Sequence, residues 1–198
     1  MAASVSAGVA LLRRAVGFAL ICASDVTPGK LANPTPCDSW DLRALLAHLS
    51  DSALVLRESI GAGCISPPAI ADTGSGFRPR RRQDPAAVFR AEATMLLGAC
   101  AVAGAQRQVA LGDRHLAIDI VAATGAIELA VHGWDISMAC GGGGRPIPPV
   151  LAGDLLDVTP WLVTEATRGG LFGDAVLVTP LACPGDKLVA MLGRTPAA

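Results

Sequence analysis

The chain has no tyrosine, and aromatic residues of all kinds make up only 4% of its 198 residues. This scarcity argues against a pocket that binds large flat rings, because stacking requires aromatic faces. An excess of one charge is also missing, since 16 lysines and arginines stand against 17 aspartates and glutamates. Without a basic field the chain is not expected to bind nucleic acid or an anionic membrane surface.

Closely spaced cysteines and long uninterrupted apolar runs are absent as well. Six cysteines are scattered along the chain without a CxxC pair, so we expect reduced thiols in a cytoplasmic protein. The apolar run from Val9 to Ala23 is interrupted by Arg13 and Arg14, and no positively charged segment precedes it. We therefore expect a core helix there, and neither an export signal nor a membrane span.

Apolar residues are plentiful, and their spacing predicts an all-α fold. Hydrophobic residues account for 52% of the chain and charged residues for 17%, a balance typical of a folded protein with a well-buried interior. The length favours a single domain that spans residues 1–198. Apolar positions recur at steps of three and four, and they predict helices over residues 5–23, 40–60, 84–102, 117–140, 149–167 and 186–193.

The segments between these helices carry the residues that end helices. Ser39 is expected to cap the second helix, and Pro160 to kink or divide the fifth. Residues 106–116 alternate around Gly112, which leaves a short hairpin or an irregular link open. A short strand is expected over residues 176–178.

Residues 61–83 have little periodicity and contain the arginine cluster Arg78, Arg80, Arg81 and Arg82. We expect a mobile surface loop, which would serve as a lid or recruit an anionic substrate. A solvated loop that aids solubility is the alternative and has the stronger prior.

Two of the three histidines lie in strongly apolar helical segments, and a glutamate accompanies one of them. Glu128 is the only charged residue between Asp119 and Asp135. A buried carboxylate without a partner costs several kcal/mol, on the order of the penalty for an unpaired buried charge. His132 is four residues further on, so the two side chains share one helix face.

A carboxylate and an imidazole on one helix face indicate either a metal site or a hydrogen-bonded core pair. Both groups bind zinc and other first-row divalent ions, and His48 is the candidate third ligand from a neighbouring helix. Three protein ligands would leave a coordination position open for water or substrate. The spacing alone does not decide between the two readings. His115 lies in a polar link and is expected at the surface.

Three stretches of the chain resemble a known family: TPCDSWDLRALLAHL at residues 35–49, ELAVHGWD at residues 128–135, and LGRTP at residues 192–196. Together they are similar to the N-terminal domain family of mycothiol-dependent maleylpyruvate isomerase, over almost the entire chain. The resemblance implies an actinobacterial protein with a DinB-like four-helix bundle. The residue pattern adds short C-terminal helices to this bundle, and a short β-hairpin is one of the two alternatives for residues 106–116.

The same resemblance implies a function for individual residues. His48, Glu128 and His132 match the zinc ligands of the family. Trp134 and Asp135 belong to the same motif, but the resemblance assigns them no role; from their position we expect Trp134 to pack in the bundle and Asp135 to cap the helix or orient a ligand. Arg194 is expected to close the fold, with an anion contact as the alternative.

The resemblance implies a metal-dependent enzyme of small-molecule metabolism, such as a mycothiol-dependent S-transferase or an isomerase-like protein. The isomerase has a further C-terminal domain that the chain does not continue into, so we expect a reaction other than maleylpyruvate isomerisation. Two alternatives are a natural-product tailoring enzyme, a cyclase or hydrolase with an optional metal, and a non-catalytic protein that binds a small ligand. The metal is expected to be zinc, with iron, nickel and manganese open. Catalytic residues other than the ligands are unknown, and a homodimer is one expected assembly.

Overall fold

A computed structural model describes residues 6–37, 40–65, 83–103, 108–141, 143–168 and 172–196 of the chain. Within them the helices are α1 (Ala7–Ala23), α2 (Leu42–Ala62), α3 (Pro85–Val102), α4 (Ile118–Ala139), α5 (Pro149–Leu162), α6 (Glu165–Arg168) and α7 (Pro184–Met191). The first four form a bundle, in which α1 packs on α4 and α3 while α2 packs on α3 and α4. The all-α, DinB-like bundle with added short C-terminal helices is therefore confirmed.

The first turns of α2 and α3 are stabilised by aspartate side chains. Asp41 accepts a hydrogen bond from the backbone N–H of Ala44, and Asp84 accepts one from Ala86. Each satisfies an N–H group that has no partner within the helix. The prediction of a cap at Ser39 is wrong, because α2 begins only after Asp41; Ser39 itself lies outside the described residues.

Helix α4 is the centre of the bundle, since 17 of its 22 residues are buried. Two glycines allow α1 to lie close against it. A Cβ atom on Gly133 would lie 3.0 Å from the Cα atom of Ala19, and one on Gly8 would lie 2.5 Å from the carbonyl oxygen of Asp119. The backbone N–H of Gly8 also donates to the Asp119 carboxylate over 2.7 Å. These contacts fix the helix that carries Glu128 and His132.

A small sheet joins the bundle at the ends of α2 and α4. Strands β2 (Gln108–Leu111) and β3 (Arg114–Ala117) form an antiparallel hairpin, and β1 (Cys64–Ile65) pairs with β2 in parallel. Gly112 has a φ of 59° in the turn, a value that glycine adopts without strain. The hairpin alternative for residues 106–116 is thus confirmed. The prediction of a mobile loop over residues 61–83 is wrong at its start, where β1 forms. The arginine cluster of this segment lies outside the described residues.

The segment after α4 packs back onto the bundle through α5, which contacts α4 and α1, and α7 packs on α5. Pro160 does not end α5, which continues for two more residues, and the short α6 follows it. The strand expected over residues 176–178 is absent from the described part of this segment. Val176 instead donates one hydrogen bond to the carbonyl of Ala190 over 2.9 Å, and a single bond of this kind does not make a ladder.

By length and composition, α3 is the one described helix that is apolar enough to cross a membrane. This is weak evidence, because core helices of soluble proteins pass the same test. Helix α3 packs against α1 and α2 in the bundle. We treat it as a bundle helix.

Candidate metal centre

Helices α2 and α4 bring His48, Glu128 and His132 together. Nε2 of His48 contacts Oε1 of Glu128, and Nε2 of His132 lies 3.6 Å from the same oxygen. One ligand atom from each of the three residues lies within 4.8 Å of the other two. The four-residue spacing on α4 stacks Glu128 and His132 on one face, as expected. Their assignment as metal ligands stays a prediction.

A buried charge chain holds His132 in place. Nδ1 of His132 donates to Oδ2 of Asp135 over 2.8 Å, and Nη2 of Arg194 donates to the same oxygen over 3.0 Å. Nη1 of Arg194 donates in turn to the carbonyl of Leu192 over 2.8 Å. Asp135 is fully buried and Arg194 is 6% exposed. Because Nδ1 is engaged by a carboxylate, the neutral form of His132, which is the form that binds a metal, carries its lone pair on Nε2, the atom that faces Glu128.

Glu128 is held in its charged form by its neighbours. Burial alone would raise the pKa of this carboxyl, but the hydrogen bond from His48 and the charges of His132 and His48 outweigh burial and lower the pKa. Ser52 adds a hydrogen bond from Oγ to Oε1 over 3.3 Å. A carboxylate that stays ionised at neutral pH is the form in which glutamate binds a metal.

The donor set fits one divalent ion. Two nitrogens and a carboxylate oxygen are ligands of catalytic zinc, at about 2.0–2.2 Å from the ion, so that neighbouring ligand atoms lie roughly 3–3.6 Å apart. The separation of 3.6 Å between His132 and Glu128 meets this spacing. His48 and Glu128 are closer than two ligands of one ion would be. The side chains of His48 and Glu128 must therefore move slightly apart when an ion binds.

Trp40 covers the two imidazoles. Its ring centroid lies 4.5 Å from that of His48 and 5.9 Å from that of His132, and both pairs are tilted. The two imidazoles are edge to face at 5.3 Å. An aromatic ring in contact with both imidazoles restricts their orientations.

Two cavities border the site, and each touches one ligand. The first, of about 410 Å³, reaches His48 and includes the polar side chains Asp41, Arg43, Ser50 and Gln83. The second, of about 440 Å³, reaches Glu128 and is lined largely by apolar side chains of α2, β3 and α4. Asp51 lines both. Burial raises the pKa of Asp51, and the charge of His48 partly opposes this rise.

The other sequence-predicted residues lie where expected or away from the site. Trp134 is buried in the bundle. Asp135 orients His132, which is one of the two roles expected for it. His115 is exposed on β3. Arg194 closes the fold through Asp135, and its burial argues against the anion contact. Sequence reasoning missed its connection to His132, because no local pattern links two residues that are far apart in the chain.

The cysteines form no disulfide among the described residues. Burial raises the pKa of Cys22 to about 12 and that of Cys100 to about 11, so both thiols stay protonated at neutral pH. Cys37 is the cysteine nearest the charge chain, with Sγ 3.9 Å from Nη2 of Arg194. None of the cysteines lines either cavity.

Comparison with known families supports the resemblance noted in the sequence. The model of the family described as mycothiol maleylpyruvate isomerase N-terminal domain matches residues 12–137. This range includes the three candidate ligands and Asp135. It ends before Arg194, so the match is shorter than the nearly full coverage that the sequence resemblance indicated. Neither curated proteins nor solved structures gave a match to the chain.

Proposed function

The chain belongs to the mycothiol maleylpyruvate isomerase N-terminal domain family, and from this we propose that it is a metal-dependent enzyme that joins the thiol mycothiol to a small electrophilic metabolite. The single observation that carries the proposal is the convergence of His48, Glu128 and His132 at a point bordered by two cavities. Isomerisation through reversible thiol addition would use the same site.

A divalent ion held by these residues would lower the pKa of a coordinated thiol and so supply a thiolate at neutral pH. The protein's own contribution is to hold the three donors. Asp135 and Arg194 fix His132 from behind, and Ser52 supports the carboxylate of Glu128. Ligand positions fixed in advance reduce the reorganisation that binding and reaction would otherwise require.

The two cavities beside the candidate ligands leave room for substrate next to His48 and next to Glu128. Each cavity is within the 300–1,000 Å³ range that is typical of small-molecule sites. A purely structural metal site would be closed by a fourth protein ligand. The candidate group has three donors, and among the described residues no fourth histidine, cysteine or carboxylate belongs to it. This supports a coordination position that is open to substrate.

The test is a thiol-transfer assay with zinc-loaded protein, mycothiol and monochlorobimane, in which a sulfur–carbon bond forms as chloride leaves. We expect turnover that requires mycothiol and is abolished by a chelator. His132→Ala should lose it as well. His115→Ala is the matched control, since His115 is an exposed histidine away from the site, and it should retain full activity.

The other outcomes would replace the proposal. Turnover of a substrate that resists chelation and needs no thiol would favour a tailoring cyclase or hydrolase with an optional metal. Tight binding of small molecules without turnover under any of these conditions would favour a non-catalytic binding protein. The apolar cavity next to Glu128 is the feature that such a protein would use.

A further inference from the structure

The two cavities at the metal centre differ in the chemistry of their walls. The cavity that reaches His48, here the polar cavity, carries side chains of both charges, including Asp41 and Arg43. The cavity that reaches Glu128, here the apolar cavity, is lined mainly by Val55, Leu56, Leu116, Ile120 and Val121. A single set of metal ligands therefore faces two different environments.

Asp51 stands at the junction of the two cavities. It is one turn after His48 on α2, and its side chain lines both spaces. The polar cavity extends from there along the first turns of α2 towards Pro85 and Val88 of α3. The apolar cavity extends along the later turns of α2 towards β3 and α4. Two molecules bound at the same time would thus approach the ligands from different sides.

We propose that the two cavities are separate subsites, in which the polar cavity binds the thiol and the apolar cavity binds an uncharged, apolar acceptor. The assignment of the thiol rests on the proposed function. The assignment of the acceptor rests on the wall of the apolar cavity, which favours hydrocarbon through the removal of apolar surface from water.

Thr124 provides a way to fill the apolar cavity without disturbing the core. It is exposed on α4, lines the cavity, and its hydroxyl donates to the carbonyl of Ile120 over 2.9 Å. Thr94 on α3 is a matched control, because it is also exposed and donates to the carbonyl of Arg90 over 2.7 Å. It lines neither cavity.

The experiment measures binding of straight-chain alcohols from butanol to heptanol to the zinc-loaded protein by titration calorimetry. Affinity should rise roughly three- to fourfold per methylene, the factor expected for burial of each group. Thr124→Phe should weaken heptanol binding about tenfold or more, and Thr94→Phe should leave it unchanged. Mycothiol binding and zinc content should be the same in both variants.

Ile120→Ser is a second variant, which removes an apolar side chain from the cavity wall. Because Ile120 is 48% exposed, this variant keeps the proposal testable if Thr124→Phe does not fold. Equal heptanol affinity in the wild type and both cavity variants would overturn the proposal. The thiol-transfer assay is independent of this result. Metal- and thiol-dependent turnover without alcohol binding would refute the apolar subsite alone. Alcohol binding without any thiol-dependent turnover would refute the proposed function, and with it the assignment of the thiol, and would leave the apolar subsite standing.

Discussion

Replacing Arg194 with methionine should destabilise the protein by about 3 kcal/mol, because removal of one partner of a buried ion pair leaves the other charge uncompensated. The guanidinium donates to Asp135 through Nη2 over 3.0 Å and through Nε over 3.5 Å, and the carboxylate is fully buried. Among the described residues, the Asp135 carboxylate would then retain only the hydrogen bond from His132. Asp135→Asn should be destabilising for the converse reason.

The two changes together should cost less than the sum of their separate effects. In the double variant Asp135→Asn with Arg194→Met, neither charge is left without its partner, so we expect a coupling free energy between about 1 and 3 kcal/mol. Asp135→Asn should also weaken zinc binding by about 10- to 100-fold, because the group that orients His132 loses its charge.

The free energies of unfolding are measured by urea denaturation of metal-free protein, and the zinc affinity by competition with a chelator. The exposed pair Arg14 and Asp154 is the control. Its side chains are 42% and 49% exposed, so Arg14→Met should change stability by less than about 1 kcal/mol. Additive effects of the two buried substitutions, or an Arg194→Met variant as stable as Arg14→Met, would refute the reasoning.

Three further predictions concern pH, thiol reactivity and fluorescence. The pKa of Glu128 is lowered from its ordinary value of 4.5. The ionised side chain should therefore contribute fully to stability above about pH 4.5, and this contribution should be lost as the pH falls through the lowered pKa. A difference in unfolding free energy between wild type and Glu128→Gln that grows with acidity would contradict this. Iodoacetamide at pH 8 should modify the exposed Cys64 well before the buried Cys22, whose pKa is about 12, and mass spectrometry showing equal rates would be inconsistent with the fold. Nickel should quench tryptophan fluorescence in the wild type and much less in Trp40→Phe, because the ring centroids of Trp40 and His48 are 4.5 Å apart. Equal quenching in the two proteins would place the ion elsewhere.

The bundle could be predicted because its helices carry their own signals. Apolar spacing, together with capping by Asp84 before Pro85, determines where α3 begins, and these are local effects. The pair formed by Glu128 and His132 was predictable for the same reason, since a separation of four residues places both on one helix face. The start of α2 was misjudged by two residues because Ser39 and Asp41 are both good capping residues, and only the structure shows which one the helix uses.

The remainder of the site depends on packing between distant segments, which local patterns do not encode. Arg194 reaches Asp135 across 59 positions of the chain, and Ser52 reaches Glu128 across 76. The two cavities likewise exist only because α2 stands at a particular distance from α3, β3 and α4. The strand expected near Val176 failed for the same reason, because a β-prone stretch forms a strand only beside another strand to pair with.

The central claim is that His48, Glu128 and His132 bind one divalent ion, and elemental analysis of the purified protein tests it most directly. After zinc loading and extensive dialysis, the wild type and His115→Ala should each retain about one equivalent of zinc per chain, while His132→Ala should retain almost none. A wild type that stays metal-free after attempted loading with zinc, iron, nickel and manganese, or a His132→Ala variant that binds as much metal as the wild type, would contradict the account.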